Sequence, residues 1–413
     1  MSLFLSERDD GLLRPSVGRD PLGLQPIWTT RARNLIPHLT AQSNRLEGFQ
    51  VLLTIFGLWP TFKGHIKDET HKQLKNFYLL VEQAIARSAF SINKGWPLPG
   101  QRRLKGGSDE LVISLNRDYH LAYGQLSSGT WGLYRGAAER AKLLNLQTLQ
   151  VAEPVERVIA ELPLLQPNIR KSLFVTVQKA IDSPKEPFQL PGGNKGALVR
   201  ALALLAAQPP LKDVLLEPLM RPSRCPLTGE LSLRLAKLNQ LEGKHRSLLA
   251  QFSSELPEHR QTFEQLVDCE QWLAPLEASF EWLCGNGSLS LEEAARKLSV
   301  NLADLRAARQ AFRSSGRYEG TGNKRHQLYG TIELGSPKDF ILSLLDAHRT
   351  VSEERGAGPW ALLNENGRLE VLVPMEIPDK QALEPSTAWR NDYYLWSLWN
   401  LSRQMIGGER EDG

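Results

Sequence analysis

Cysteine is scarce. The chain has three in 413 residues, Cys225, Cys269 and Cys284, and no Cys-x-x-Cys pair. That excludes a disulfide framework and fits a reducing compartment. No apolar run approaches the roughly 20 residues that a membrane-spanning helix needs. The acids Glu7, Asp9 and Asp10 stand where a signal peptide carries its apolar core. The expected setting is therefore the cytoplasm, in a bacterial cell, with no membrane partner. Neither charge sign dominates: 50 Lys and Arg face 46 Asp and Glu, a net charge of +4. Such a balance does not by itself demand nucleic acid, so any electrostatic argument rests on local clusters. Internal repeats and low-complexity segments are absent too.

Catalytic motifs are also missing. The eight histidines are scattered, and His65 and His71, six apart, lack metal-ligand spacing. There is no His-Glu-x-x-His, no Gly-x-Ser-x-Gly and no Walker A motif. Pro191 to Gly196 brings glycines and Lys195 ahead of a helix, without the Walker spacing or the following Ser or Thr. A metal-dependent nuclease gathers carboxylates and a lysine on adjacent strands. Here the clear strand pair carries Glu365 and Glu370, with Glu376 and Lys380 beyond, which form no convincing cluster. The reading is a non-catalytic protein without cofactor or metal; a nuclease with a dispersed site stays as an alternative.

What is present is helix. Apolar content of 41% and 25 prolines punctuate a chain of many short helices. The fold expected is mainly α: a multi-helix N-terminal domain over 1–208, and a helical pair leading into a winged helix-turn-helix over 209–335. A helix, a small β-hairpin and a Trp-rich helix follow over 336–413. Asn44 and Glu47 read as a capping box for the first long helix, which Pro60 is expected to stop. Gly129, Gly132 and Gly136 interrupt a helical pattern. Small residues at that spacing mean tight packing, or a surface for a partner's helix. Glu230–Leu256 and Pro257–Cys284 are expected as an antiparallel pair. Asn366-Gly367 between apolar runs signals a hairpin. Trp389, Tyr393, Trp396 and Asn400 line one side of a final helix expected from about Thr387 to Met405.

The chain is organised around residues 269–334. Ser290 and Glu293 form a capping box for a short helix. Asn301 caps a second one, with Asp304 in its first turn and Leu302, Leu305, Ala308 and Phe312 on its buried face. Gly316 ends it. A polar loop and a strand, Gln327–Leu334, are expected next, which is the order of a winged helix-turn-helix. Arg306, Arg309 and Arg313 share one edge of the second helix. Arg317, Lys324 and Arg325 fall in the expected wing. Between Arg296 and Gly330 eight Lys or Arg face two acids. Arginines on such an edge suit a major groove and a basic wing suits phosphates, so double-stranded DNA is an expected partner. Protein docking and a plain solvated face are the alternatives. Arg102, Arg103 and Lys105 sit in an expected exposed loop that either grips a phosphate backbone or is a soluble connector.

Three stretches carry a family resemblance: Asp20–Thr40 (DPLGLQPIWTTRARNLIPHLT), Ser128–Ala141 (SGTWGLYRGAAERA) and Cys269–Leu283 (CEQWLAPLEASFEWL). Together they resemble an uncharacterised group of bacterial proteins associated with phage-defence gene clusters. The resemblance implies a subunit of a multiprotein antiviral complex, working beside an ATPase, helicase or nuclease. It carries over no functional residues.

Overall fold

The computed structural model describes residues 20–64, 70–93, 95–106, 111–207, 210–241, 243–316 and 318–406. Within them the chain is mainly helical, with small two-stranded sheets. The described chain falls into two compact units, each built from separated segments. Unit one takes residues 20–35 and 243–393, and unit two takes 36–241 and 394–406. The expected division at 209 and 336 is not where these units part.

In chain order, α1 (Gln25–Leu35) belongs to unit one. Unit two follows with α2 (Leu46–Lys63), α3 (His71–Asn93), α4 (Gln101–Gly106), β1 (Val112–Ile113), α5 (Gln125–Ser128) and α6 (Thr130–Arg140). It continues with β2 (Leu144–Asn145), β3 (Gln150–Val151), α7 (Glu153–Ala160), α8 (Pro167–Asp182) and β4 (Phe188–Gln189). Then come α9 (Ala197–Ala207), α10 (Lys212–Met220) and α11 (Pro226–Leu235). Unit one resumes with α12 (His245–Glu255), α13 (Arg260–Gly285), α14 (Leu291–Lys297), α15 (Leu302–Ser314), α16 (Gly320–Gly330) and α17 (Pro337–Glu354). It ends with the hairpin β5 (Ala361–Leu363) and β6 (Leu369–Val371), and α18 (Leu395–Met405) returns to unit two.

Unit two is built on α2, whose apolar residues are buried around almost its whole circumference. Its N-cap is Arg45, with no capping side chain, so the expected Asn44 capping box does not form. Pro60 does not stop α2 either; the helix carries it inside and runs to Lys63. The glycines pack inward. A Cβ on Gly48 would overlap the Tyr134 ring, and one on Gly132 would overlap the Ser127 backbone. Gly129 leaves room for the Glu82 carboxylate, which accepts from Thr130 N (2.7 Å), the Thr130 hydroxyl and Gln125 Nε2 (2.7 Å). The small residues of 129–132 thus admit the unit's own atoms, and tight packing is the reading that holds. Burial, with no cationic partner among the described residues, pushes the Glu82 carboxyl above the usual carboxylate range.

Unit one is built on α13. Trp272, Leu273, Leu276, Phe280 and Leu283 of this helix enter one apolar core with Leu22, Leu24 and Ile27 from the N-terminal segment. Residues 230–256 are not one helix, because α11 ends at Leu235 and α12 begins at His245. Two buried polar groups tie the N-terminal segment down. Arg31 on α1, 1% exposed, donates to Tyr318 Oη (2.8 Å), Gln265 Oε1 (2.9 Å) and the Ser315 carbonyl. His348 on α17 is fully buried; its Nδ1–H donates to Pro21 O (3.0 Å), and its Nε2 accepts from Trp360 N–H (2.7 Å).

On the same helix α13, burial pushes the Glu277 carboxyl up to about 7, against the pull of Arg390. The folded state therefore holds a proton that the unfolded chain releases above about pH 4.5, so stability falls as pH rises from about 4.5 to 7. Glu277→Gln is expected to stabilise unit one by about 2 kcal/mol at pH 8 and to have little effect at pH 4. Urea unfolding at the two pH values reads the difference.

Candidate nucleic-acid interface

The helix-turn-helix forms from strong local signals. Ser290 Oγ accepts from Glu293 N (3.2 Å), while Glu293 Oε2 accepts from Ser290 N (2.8 Å), a complete capping box. Asn301 Oδ1 accepts from Ala303 N (3.0 Å) and Asp304 N, capping α15. Leu305, Ala308 and Phe312 are buried, and α15 packs on α13.

The wing lies elsewhere than the sequence led one to expect. Gln327–Leu334 is not a strand: α16 covers 320–330, and an irregular stretch leads to α17. The sheet is completed by the later hairpin. Ser288 N donates to Leu369 O (2.8 Å), Leu369 N donates to Leu289 O (2.8 Å), and Ser290 bridges Arg368 in antiparallel sense. Segment 288–290 thus lies beside β6, and β6 beside β5. Helix, strand, two helices, then two strands is the order of a winged helix-turn-helix, here with α16 and α17 between the helices and the hairpin. The tip is Asn364–Arg368. Gly367 takes a left-handed φ of 67°, and Asn364 Oδ1 accepts from Asn366 N and Arg368 N, both 3.0 Å.

This arrangement redistributes the basic residues. Arg306, exposed, donates to Leu334 O (2.6 Å), and half-buried Arg309 donates to Ile332 O (2.5 Å). Arg313 is exposed, and its stem runs beside Gly330, where a Cβ would come within 3.4 Å of Arg313 Cγ. The shared arginine edge therefore holds the segment after α16 against α15. Arg325 is not in an open wing: it is 4% exposed on α16 and pairs with Glu354 Oε2 at 2.6 Å. Lys324 on α16 is exposed. Arg317 lies outside the described residues. His326 is inserted between Phe312 and Tyr318, its Nε2 3.0 Å from Phe312 O, and burial lowers its pKa.

The centre of α15's open face is Ala303, Ala307, Gln310 and Ser314, all exposed, with Arg306 and Arg313 on one flank and Asp304 on the other. The wing tip itself offers one acid, Glu365, and one base, Arg368. Sequence reasoning missed Arg368 as a wing residue, although Asn366-Gly367 marked its hairpin. Arg102, Arg103 and Lys105 stand in unit two on the short helix α4, where a loop was expected, and all three are exposed. Arg103 Nη1 donates to His120 O (2.8 Å).

Among the described residues no group of three or more His, Cys, Asp or Glu is arranged to hold a metal ion, and no helix is long and apolar enough to cross a membrane. Glu270, buried beneath the module, accepts from Arg390 N (2.7 Å), Asn391 Nδ2 (2.8 Å) and Tyr393 Oη (3.0 Å). No protein-family model matches the chain, and no curated protein or solved structure matches it.

Proposed function

We propose that the chain is a non-catalytic adaptor whose winged helix docks a protein partner through the open face of α15. One observation carries this reading: three of the arginines are used internally. Arg306 and Arg309 hold the 332–334 backbone, and Arg325 is buried against Glu354. At the centre of α15 this leaves small or uncharged side chains, beside a wing tip whose two charges are opposite. Such a face suits close approach by another polypeptide better than a phosphate backbone, which is bound chiefly by Lys and Arg. The resemblance to phage-defence proteins points to an ATPase, helicase or nuclease subunit of an antiviral complex as the partner.

Duplex DNA is the second reading. Exposed Arg306, Arg313 and Lys324 favour it, since an arginine bonded through one N–H keeps others for phosphate.

Fluorescence anisotropy with a labelled duplex separates the two, using wild type and Arg306→Glu/Arg313→Glu over a range of salt. The adaptor reading expects weak binding that is the same in both proteins. If wild-type affinity falls steeply with salt, and the still-folded variant loses about 2 from the slope of log K against log salt, the duplex reading replaces it. Ala307→Lys, used as bait after DNA digestion, is expected to lose the subunit that wild type retains.

A further inference from the structure

Unit two contains a cavity of about 560 Å³ that the winged helix does not involve. Its walls are aliphatic: Pro37, Leu143, Pro154, Val155, Val214 and Pro218 contribute. Its charged lining is unbalanced, with Arg140, Lys142 and Arg224 against Glu217. Lys142 and Arg224 are exposed at the cavity and make no ion pair among the described residues. Arg140 donates to Leu39 O at 3.3 Å. His38, 3% exposed, turns its Nε2 to Leu219 O (2.8 Å) and stays neutral at pH 7, because burial lowers its pKa to about 4.

The backbone adds an independent observation. After α6, Leu143 N donates to Ala138 O (2.9 Å) and Lys142 N to Glu139 O (2.9 Å), closing the helix with Lys142 at a φ of 58°. That left-handed position normally takes glycine. Here a lysine occupies it, and that lysine is one of the residues lining the cavity. Non-glycine residues held in this region cluster where a site needs the side chain.

We propose that this cavity binds a small organic anion, with an apolar body among the prolines and aliphatic side chains and its phosphate or carboxylate head between Lys142, Arg224 and Arg140. The volume falls within the range of small-molecule sites, and a few placed charges on an apolar lining are their usual composition.

The probe is 8-anilinonaphthalene-1-sulfonate, an anion with an apolar body, titrated by fluorescence against the full chain at pH 7.5. Binding of one probe per chain is expected, with displacement by octyl phosphate or octanoate; the stronger of the two identifies the head group. Lys142→Gly and Arg224→Ala are each expected to weaken probe binding roughly tenfold, the loss of one charge-assisted hydrogen bond. Lys142→Gly separates binding from folding. Glycine relieves the left-handed residue, so its melting temperature is expected to hold or rise while affinity falls. Displacement by octylammonium as strong as by octanoate overturns the anion site. So does unchanged probe affinity in both variants, or no probe binding at all. Inorganic phosphate displacing as well as octyl phosphate overturns the apolar subsite.

Discussion

His348→Ala is expected to destabilise unit one by about 3–4 kcal/mol at pH 7.5 and by about 2 kcal/mol less at pH 5. The buried ring donates from Nδ1 to Pro21 O and accepts at Nε2 from Trp360 N–H. A proton at Nε2 would abolish that acceptor, and burial together with the Arg355 charge lowers the pKa to about 4. The unfolded imidazole titrates near 6.5. Between those values the unfolded chain takes up a proton that the folded chain refuses. The stabilisation is complete above about pH 6.5 and is lost as pH falls towards 4. At pH 5 the wild type has already forfeited about 2 kcal/mol of it, so removing the ring costs less. Urea unfolding at both pH values measures the two gaps. Hydrogen exchange around 20–24 and 357–361 shows whether the N-terminal segment is what loosens. Equal destabilisation at both pH values would refute the neutral-ring account. Glu277 titrates with the opposite sign in the same unit, so the wild-type pH profile alone is flatter than either group's share.

Arg31→Ala is expected to cost about 3–5 kcal/mol, since it removes more than one buried hydrogen bond to a charged group, each worth about 1.5–3 kcal/mol. The guanidinium lies 4.2 Å from the centre of the Tyr318 ring and bonds only neutral acceptors; among the described residues it has no carboxylate within ion-pair distance. Its desolvation is offset by charge-assisted hydrogen bonds and the ring contact. Alanine leaves the Ser315 carbonyl and the Tyr318 hydroxyl short of a donor at the C-terminal end of α15. Arg31→Lys is expected to recover less than half of the loss, since one ammonium cannot reproduce the planar fork. Thermal unfolding gives the magnitude, and exchange of the 312–318 amides gives the location. Near-complete rescue by lysine would mean that charge alone, rather than the fork, matters there.

What was legible in the sequence was local. Ser290 with Glu293, Asn301, and Asn366 with Gly367 each act within a few residues, and each does what its spacing indicates. Two local signals failed, the Asn44 capping box and Pro60 as a stop for α2, but the larger errors were distant in sequence. Residues 320–330 read as the end of a loop and the start of a strand, yet they are helical and pack on α1, nearly 300 residues earlier; a Cβ on Gly322 would lie 3.2 Å from Thr30 Oγ1. With α16 and α17 inserted, the hairpin signal lay too far from α15 to be read as its wing. The last helix starts at Leu395 rather than near Thr387, because Tyr393 and Tyr394 take positive φ angles of 49° and 66°. At the candidate interface, helical phase placed the arginines on one edge. It could not show that backbone carbonyls at 332 and 334 meet them there.

The split assembly of unit one fixes an order of events during synthesis. α1 leaves the ribosome well before α13 and α16, on which it packs and whose residues share its Ile27 core. At about 5–20 residues per second those helices follow roughly 15 to 60 s later. Through that interval α2 to α11 can already collapse together, short only of α18. The N-terminal segment meanwhile stays an uncovered apolar stretch. Unit one is therefore expected to become protease-resistant only once α13 and α16 have been made, which limited proteolysis of stalled nascent chains reads directly.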